Sequence, residues 1–151
     1  MCFCIDYAES FDFLRDKIHI ADSVTSTETS LLYDQILMIN NDALPTNNPS
    51  LRNANSRVSG RGTIAHEVFG RYETVLRGTA FDQFDQIDGQ MIRNVRTTAL
   101  DEAQASIRAA RFAPGLSDVE RIILTRDGLQ RLKNADIRLR DVRHLLDILD
   151  R

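Results

Sequence analysis

The sequence lacks the features that mark membrane-spanning and nucleic-acid-binding chains. No apolar run approaches the roughly 18 to 20 residues that a membrane-spanning helix requires. Basic residues are not in excess, since 19 Lys and Arg stand against 22 Asp and Glu and the net charge is −3. A chain with this balance has no overall basic field to attract nucleic acid. The N-terminus MCFCIDYAES also lacks the basic segment and long apolar core of a signal peptide, so we expect any export to use another route or a longer chain.

Cysteine and the common catalytic motifs are also scarce. Cys2 and Cys4 are the only cysteines, and two residues apart they are poorly placed to form a disulfide with each other. Two reduced thiols beside Phe3 and Ile5 are favoured over a Cys-x-Cys metal site. There is no Gly-rich phosphate loop, no G-x-S-x-G and no C-x-x-C. The C-terminal third is rich in arginine, but acids are interleaved and no aromatic platform accompanies them, which favours a solvated face and leaves nucleic acid open as a partner.

What is present predicts one mainly α domain, of the α+β type, over residues 1–151. The chain is 42% hydrophobic and 27% charged, as is usual for globular proteins. Residues 1–40 look mixed α/β, and LLYDQILMIN, Leu31 to Asn40, predicts a small β element in the N-terminal third, although a helix stays open there. Residues 41–58 form an Asn- and Pro-rich loop, long enough to suggest a functional role. Residues 59–151 have the helical period.

Four helices are predicted in this last part, with a linker after the first. The first helix should end at Gly78, and Pro114 and Gly115 should end the second. Ser117 and Glu120 form the S-x-x-E pattern of a capping box at the start of the third. The predicted ranges are Thr63–Leu76, a linker at Thr79–Gln90, Met91–Phe112, residues 118–132, and a last helix at Ile137–Asp150 with Val142, Leu145, Leu146 and Leu149 inward.

The stretch TIAHEVFGRYE, Thr63 to Glu73, is similar to a zinc-protease helix but is incomplete. In H-E-x-x-H two histidines one turn apart grip the metal, and here the fourth position after His66 is Gly70. The fifth is Arg71, which would stand about 140° away in a straight helix and would need a bulge to converge. Arginine also stays protonated and cannot ligate a metal. Spacing alone therefore favours an exposed histidine and a solvent-exposed Glu67–Arg71 pair.

Helical angles give a second view of the same helix. Ile64, Val68, Tyr72 and Val75 are predicted to be the buried stripe. His66, Gly70 and Glu73 are predicted to share another face, where glycine would leave the backbone open to a ligand.

Two blocks of the sequence resemble the C-terminal toxin domains of bacterial polymorphic toxins, of the Rhs and contact-dependent type. The blocks are NANSRVSGRGTIAHEVFGRYE and LDEAQASIRAARFAPGLSDVER. The family pattern reads N-A-N-S, then A-H-E-h-x-G-H-R-E with h apolar, then E-E-A-Q-A-S-I-R-A-A-R-F. The resemblance covers about residues 42 to 125. It implies an effector delivered into a target cell, acting in its cytoplasm as a metal-dependent hydrolase, with a cognate immunity protein as partner.

The resemblance carries over to individual residues. His66, Glu67, Gly70, Glu73 and Glu102 match the family pattern. The second histidine of H-E-x-x-x-H falls at Arg71, which removes a metal ligand or a base. Three explanations stay open: a degenerate copy, a site that never needed that histidine, or an inactivating change.

These observations yield the candidate site. Glu67, His66 and Glu73 are the catalytic candidates, with Glu67 as general base beside zinc. His66 and Glu102 are the metal candidates, and zinc binding is expected to be weak or absent because of Arg71. The substrate-binding candidates are Arg71, Asn53 and Asn55. Glu102 is predicted to lie inward on its helix, near His66 or Arg71, and Asp101 outward. For Glu102, a buried Glu–Arg pair that only joins two helices is favoured slightly over metal ligation.

Three functions remain. The first is a zinc-metallopeptidase-like hydrolase. The second is a metal-independent toxin that uses a His/Glu acid–base pair on RNA or a nucleotide, with Arg71 holding a phosphate. The third is a catalytically silent interaction module.

Overall fold

The computed structural model describes residues 57–151 in full and the backbone of three short strands before them. The strands are β1, His19–Asp22, β2, Ser30–Leu32, and β3, Ile36–Ile39. They form one sheet in the order β1-β3-β2, with β1 parallel to β3 and β2 antiparallel to it. The fold is mainly α with a small β element, as predicted, although the predicted strand at 31–40 is in fact two paired strands. The cysteines and the candidates Asn53 and Asn55 lie outside the described residues.

The first helix is continuous from Gly60 to Leu76 but changes its winding in the middle. It comprises α1, Gly60–Ala65, a π segment, His66–Tyr72, and α2, Glu73–Leu76. It begins earlier than predicted because Ser59 caps it, its hydroxyl accepting the Gly62 N–H at 3.1 Å.

The first helix ends as the sequence predicted, with Gly78 following its last turn. Gly78 has a φ of 67°, its N–H bonds to Val75 O, and the Thr79 N–H bonds to Thr74 O. This is a Schellman motif, in which a left-handed residue closes the last turn.

The region predicted as a linker contains a β-hairpin. Strand β4, Phe84–Ile87, pairs antiparallel with β5, Gln90–Arg93, across the turn at Asp88 and Gly89. Both turn residues have positive φ, 49° and 78°, and Asp-Gly is a strong signal for such a two-residue turn. The prediction that the second helix starts at Met91 is therefore wrong: it starts four residues later.

The two long helices carry the core. Helix α3, Val95–Phe112, is capped by the Asn94 side chain, and α4, Asp118–Asn134, by the predicted capping box. The π segment packs on α3 and contributes buried Val68 and Tyr72 to the same apolar cluster as Ala109 and Ala110. Ile64 and Val75, predicted in the same buried stripe, are only half-buried, because the π segment rotates the residues on either side of it.

The predicted last helix is mostly not a helix. Only α5, Leu139–Val142, is helical, and turns follow it. Val142 and Leu146 are buried as predicted, but Leu145 is 48% exposed and Leu149 49%.

Buried side chains of α3 hold this irregular backbone. Gln104 accepts the Asp147 N–H at 2.7 Å, and Arg108 donates to the carbonyls of Asp147 and Asp150. These bonds satisfy backbone groups that a regular helix would have paired internally. No helix among the described residues is long and apolar enough to span a membrane.

Candidate functional site

The π segment brings His66 and Arg71 onto the same face of the helix. Its i→i+5 hydrogen bonding, seen where the Glu73 N–H bonds to Val68 O, turns the chain less per residue than an α-helix does. His66 Nε2 lies 3.4 Å from Glu102 Oε2, and Arg71 Nη1 lies 3.4 Å from Glu102 Oε1. Residues five apart, which diverge in a straight α-helix, therefore meet at one carboxylate. Glu102 lies inward near both of them, as predicted.

Gly70 allows the helix to approach α3 closely. A Cβ at this position would clash with the backbone oxygen of Ala105 and lie 2.7 Å from its Cα. The prediction that Gly70 leaves an open surface for a ligand is therefore wrong. The glycine is needed because two backbones touch there.

His66 is buried rather than exposed, and both of its ring nitrogens have partners. The residue is 6% exposed. Nδ1 lies 2.9 Å from Ser106 Oγ, and Ser106 Oγ donates to Asp127 Oδ2 at 2.5 Å. Nε2 faces Glu102 and lies 4.0 Å from Glu67 Oε1. The interpretation of His66 as an exposed helix histidine is wrong, because the π segment turns it toward α3.

Glu67 is a buried acid whose charge is only partly balanced by nearby positive groups. It is 5% exposed, and among the described residues Oε2 has no hydrogen-bond partner. Arg71 Nη1 lies 3.8 Å from that oxygen, so the predicted Glu67–Arg71 pair exists, but at a buried carboxylate. Burial raises the pKa of Glu67, and the nearby charges of His66 and Arg71 offset only part of this effect.

Glu102 is the best compensated acid of the cluster. Arg131 Nη1 donates to Oε2 at 2.8 Å, in addition to the contacts of His66 and Arg71. Burial alone would raise the pKa of Glu102, but the hydrogen bond and charge of His66 and the charges of Arg131 and Arg71 hold it well below its usual range. Glu102 is therefore an ionised carboxylate.

Asp101 does not point outward, contrary to the prediction. It is 4% exposed and accepts the Phe81 N–H at 3.0 Å and the Gln83 side-chain amide at 2.7 Å. Arg71 Nη2 lies 3.5 Å from it. Asp101 anchors the segment that leads into the hairpin.

Glu73 lies in a different set of contacts. Its carboxylate accepts from Arg108 Nη2 at 3.1 Å and from Arg151 Nη2 at 2.9 Å. The prediction that Glu73 shares a face with His66 is wrong, because it depends on 100° per residue and this segment winds as a π-helix. The structure therefore places Glu73 with the C-terminal residues, where it pairs with arginines, and not with the cluster around His66.

The residues predicted from the sequence do not include Ser106, Asp127 and Arg131. The available signal was spacing, because Glu102 and Ser106 are four apart on α3, and Asp127 and Arg131 are four apart on α4. The block EAQASIR thus divides between two faces: Glu102 and Ser106 face His66, whereas Gln104 and Arg108 hold the C-terminal residues.

The cluster as it stands does not fit a zinc ion. In the part of the chain that the structure describes, no group of three His, Cys, Asp or Glu residues is arranged to hold a metal. The Arg71 guanidinium lies between Glu67 and Glu102, at 3.8 and 3.4 Å, where a third ligand would be needed. Arginine brings a fixed positive charge and no lone pair.

Comparisons with protein-family models, curated proteins and solved structures found no match. The resemblance to polymorphic-toxin domains therefore stays a prediction.

Proposed function

We propose that this chain is a toxin-type effector domain with the framework of an H-E-x-x-x-H hydrolase site, in which Arg71 replaces the second histidine. The observation that supports the proposal most is the π segment. In a straight helix a ligand at the fifth position after His66 would point away, whereas here residue 71 reaches the same carboxylate as His66. The spacing H-E-x-x-x-H requires a helix in which residues 66 and 71 lie on the same side. π-bulges are also frequent at functional sites.

The acids around His66 fit the same framework. A histidine, two glutamates and residue 71 lie within 4.0 Å of one another in successive pairs. Burial raises the pKa of Glu67, and a raised pKa suits a carboxyl group that takes up and releases a proton. In the chain as written, Arg71 occupies the position of the missing ligand, and no metal-dependent step is assigned to it.

Replacement of one residue tests this proposal. We expect Arg71→His to bind zinc at least about 100-fold more tightly than the unmodified chain, because it exchanges a fixed cation for an imidazole ligand. Arg71→Gln is the matched control, since it removes the charge and supplies no imidazole. Calorimetric titration with zinc measures the affinity. Equal affinities for Arg71→His and Arg71→Gln would contradict the proposal.

Growth assays extend the test to the effector role. Induced expression of Arg71→His in a bacterium should arrest growth, and the double variant Arg71→His/Glu67→Gln should not. The proposed site of action is the cytoplasm of a target cell, and the proposed partner is an immunity protein that suppresses the arrest. Absence of growth arrest in every variant would favour the silent interaction module.

A metal-independent toxin is the second candidate, and one observation favours it. Arg71 has the most exposed side chain of the cluster, at 24%, against 14% for Glu102 and 6% for Glu67. A guanidinium in that position could hold a phosphate while His66 and Glu67 exchange protons. In that case the unmodified chain should arrest growth and cleave RNA or a nucleotide in the presence of a chelator, and Arg71→His should abolish the activity.

A further inference from the structure

The side chains around His66 form a closed ring of polar contacts. Starting from Arg131, Nε donates to Asp127 Oδ2 at 2.8 Å, and Ser106 Oγ donates to the same oxygen at 2.5 Å. Ser106 Oγ is 2.9 Å from His66 Nδ1, and His66 Nε2 is 3.4 Å from Glu102 Oε2. Arg131 Nη1 closes the ring at Glu102 Oε2, at 2.8 Å.

The donors and acceptors of this ring determine the position of one proton. A serine hydroxyl has a single hydrogen to donate. Ser106 gives it to Asp127, whose Oδ2 also accepts from the Arg131 guanidinium and so acts as an acceptor. Ser106 Oγ can then only accept from His66, and Nδ1 must carry a hydrogen. Nε2 then faces Glu102 and Glu67, and it donates to Glu102 when the imidazole carries hydrogen on both nitrogens.

We propose that Ser106 and Asp127 are positioning residues that hold His66 with a proton on Nδ1 and direct Nε2 toward Glu102 and Glu67. Histidines that ligate metals or exchange protons usually have the other nitrogen bound in this way, which fixes both tautomer and ring orientation. The inference rests on the proposed function only for the role of Nε2 in metal ligation or proton exchange. The tautomer itself can be measured without any activity.

Burial and helix packing both restrict the closed set of polar contacts around His66. Ser106 is 0% exposed and Asp127 4%, so solvent does not compete for their hydrogen bonds. Two of the four protein partners belong to α3 and two to α4, so the ring forms only when both helices pack on the π segment. The orientation of His66 is thus coupled to the packing of three helices.

Ring-nitrogen NMR of the full chain, labelled with 15N histidine, tests the tautomer. The chain has three histidines, His19, His66 and His144, and His66→Gln assigns the His66 signals. We expect the His66 Nδ1 resonance to be that of a protonated nitrogen in spectra recorded at alkaline pH, where a neutral imidazole carries hydrogen on one nitrogen alone. An unprotonated Nδ1 in the unmodified chain would overturn the inference, and this measurement needs no variant of Ser106.

Substitutions test the positioning role. Ser106→Ala removes the acceptor for the hydrogen on His66 Nδ1. The Nδ1 signal should therefore shift, and it should broaden as the hydrogen exchanges between the two imidazole nitrogens. Asp127→Asn, which leaves the serine in place, should shift the same signal. The matched control is Thr125→Ala, which removes an exposed hydroxyl from the same helix as Asp127 and should leave the His66 signals unchanged. Unchanged His66 signals in folded Ser106→Ala and Asp127→Asn would overturn the inference.

A zinc titration tests whether the hydrogen bond between Ser106 and His66 supports the proposed metal site. In the Arg71→His background, Ser106→Ala should weaken zinc binding by about 10- to 100-fold, the usual effect of losing such a supporting hydrogen bond. Zinc affinity unchanged by Ser106→Ala would count against a positioning role in ligation. If Arg71→His binds no zinc at all, the proposed function fails, and the NMR measurement still decides whether Ser106 and Asp127 position His66.

Discussion

Arg131 joins Glu102 on α3 to Asp127 on its own helix, with Nη1 2.8 Å from Glu102 Oε2 and Nε 2.8 Å from Asp127 Oδ2. One guanidinium thereby compensates two carboxylates in the interior. Burial alone would lower the pKa of Arg131, but the charges of Glu102 and Asp127 raise it above its usual value. Removal of either acid leaves buried positive charge behind.

Glu102→Ala should therefore destabilise the protein by about 3–5 kcal/mol, because His66, Arg71 and Arg131 lose their common acceptor. Urea unfolding followed by circular dichroism measures the loss. Glu67→Gln is the matched control and should change stability by less than about 1 kcal/mol, since Glu67 is already poorly compensated. A smaller cost for Glu102→Ala than for Glu67→Gln would show that the compensation is assigned to the wrong acid.

Gly70→Ala should cost about 3 kcal/mol or more, because its Cβ would meet the Ala105 backbone, which cannot move aside without shifting α3. Thermal unfolding is the measurement. Gly78→Ala is the comparison: its φ is 67° but nothing lies within 4 Å of a Cβ there, so only backbone strain of about 1 to 2 kcal/mol is expected. Equal costs would mean that close packing at Gly70 contributes little.

Arg108→Met should destabilise the protein by about 3 kcal/mol or more and expose the last residues to protease. Arg108 is 0% exposed, pairs with Glu73 and Asp147, and donates to the carbonyls of Asp147 and Asp150. Limited proteolysis followed by mass spectrometry locates the released segment. Arg111→Met, an exposed change on the same helix, should stay within about 0.5 kcal/mol and leave the cleavage pattern unaltered.

Asp147 should make the stability sensitive to acid. Burial tends to raise the pKa of Asp147, but hydrogen bonds from Arg77 and Thr79 and the charge of Arg108 lower it below its usual value. An acid with a lowered pKa in the folded state stabilises the protein above its unfolded-state pKa, about 4, and this contribution disappears as the pH falls through the folded-state value.

Asp147→Asn should thus be less stable than the unmodified chain at neutral pH, and the difference should shrink as the pH falls below the unfolded-state pKa of about 4. Urea unfolding between neutral and acid pH measures the two curves. Asp82→Asn removes the same charge from an exposed position and serves as the control. Parallel curves for Asp147→Asn and the unmodified chain would contradict the assignment.

Local patterns in the sequence determined the features that depend on neighbours within a turn or two. The Ser117–Glu120 capping box and the glycine stop at Gly78 were predicted correctly, because the partners of each cap lie within a few residues. The inward position of Glu102 was also predicted, since α3 is regular and 100° per residue holds there. The turn at Asp88 and Gly89 is also a local pattern, but the prediction for residues 79–90 was a linker and not a hairpin.

Only the tertiary structure decided how the candidate site is assembled. The π segment appears where Gly70 presses against Ala105, and helical periodicity in the sequence assumes α winding throughout. That winding places Arg71 beside His66 and moves Glu73 to the C-terminal arginines. The partners Ser106, Asp127 and Arg131 come from helices 40 or more residues away along the chain. Their positions depend on three helices packing together, and a side chain's partner at such separation is set by that packing and not by the residues beside it.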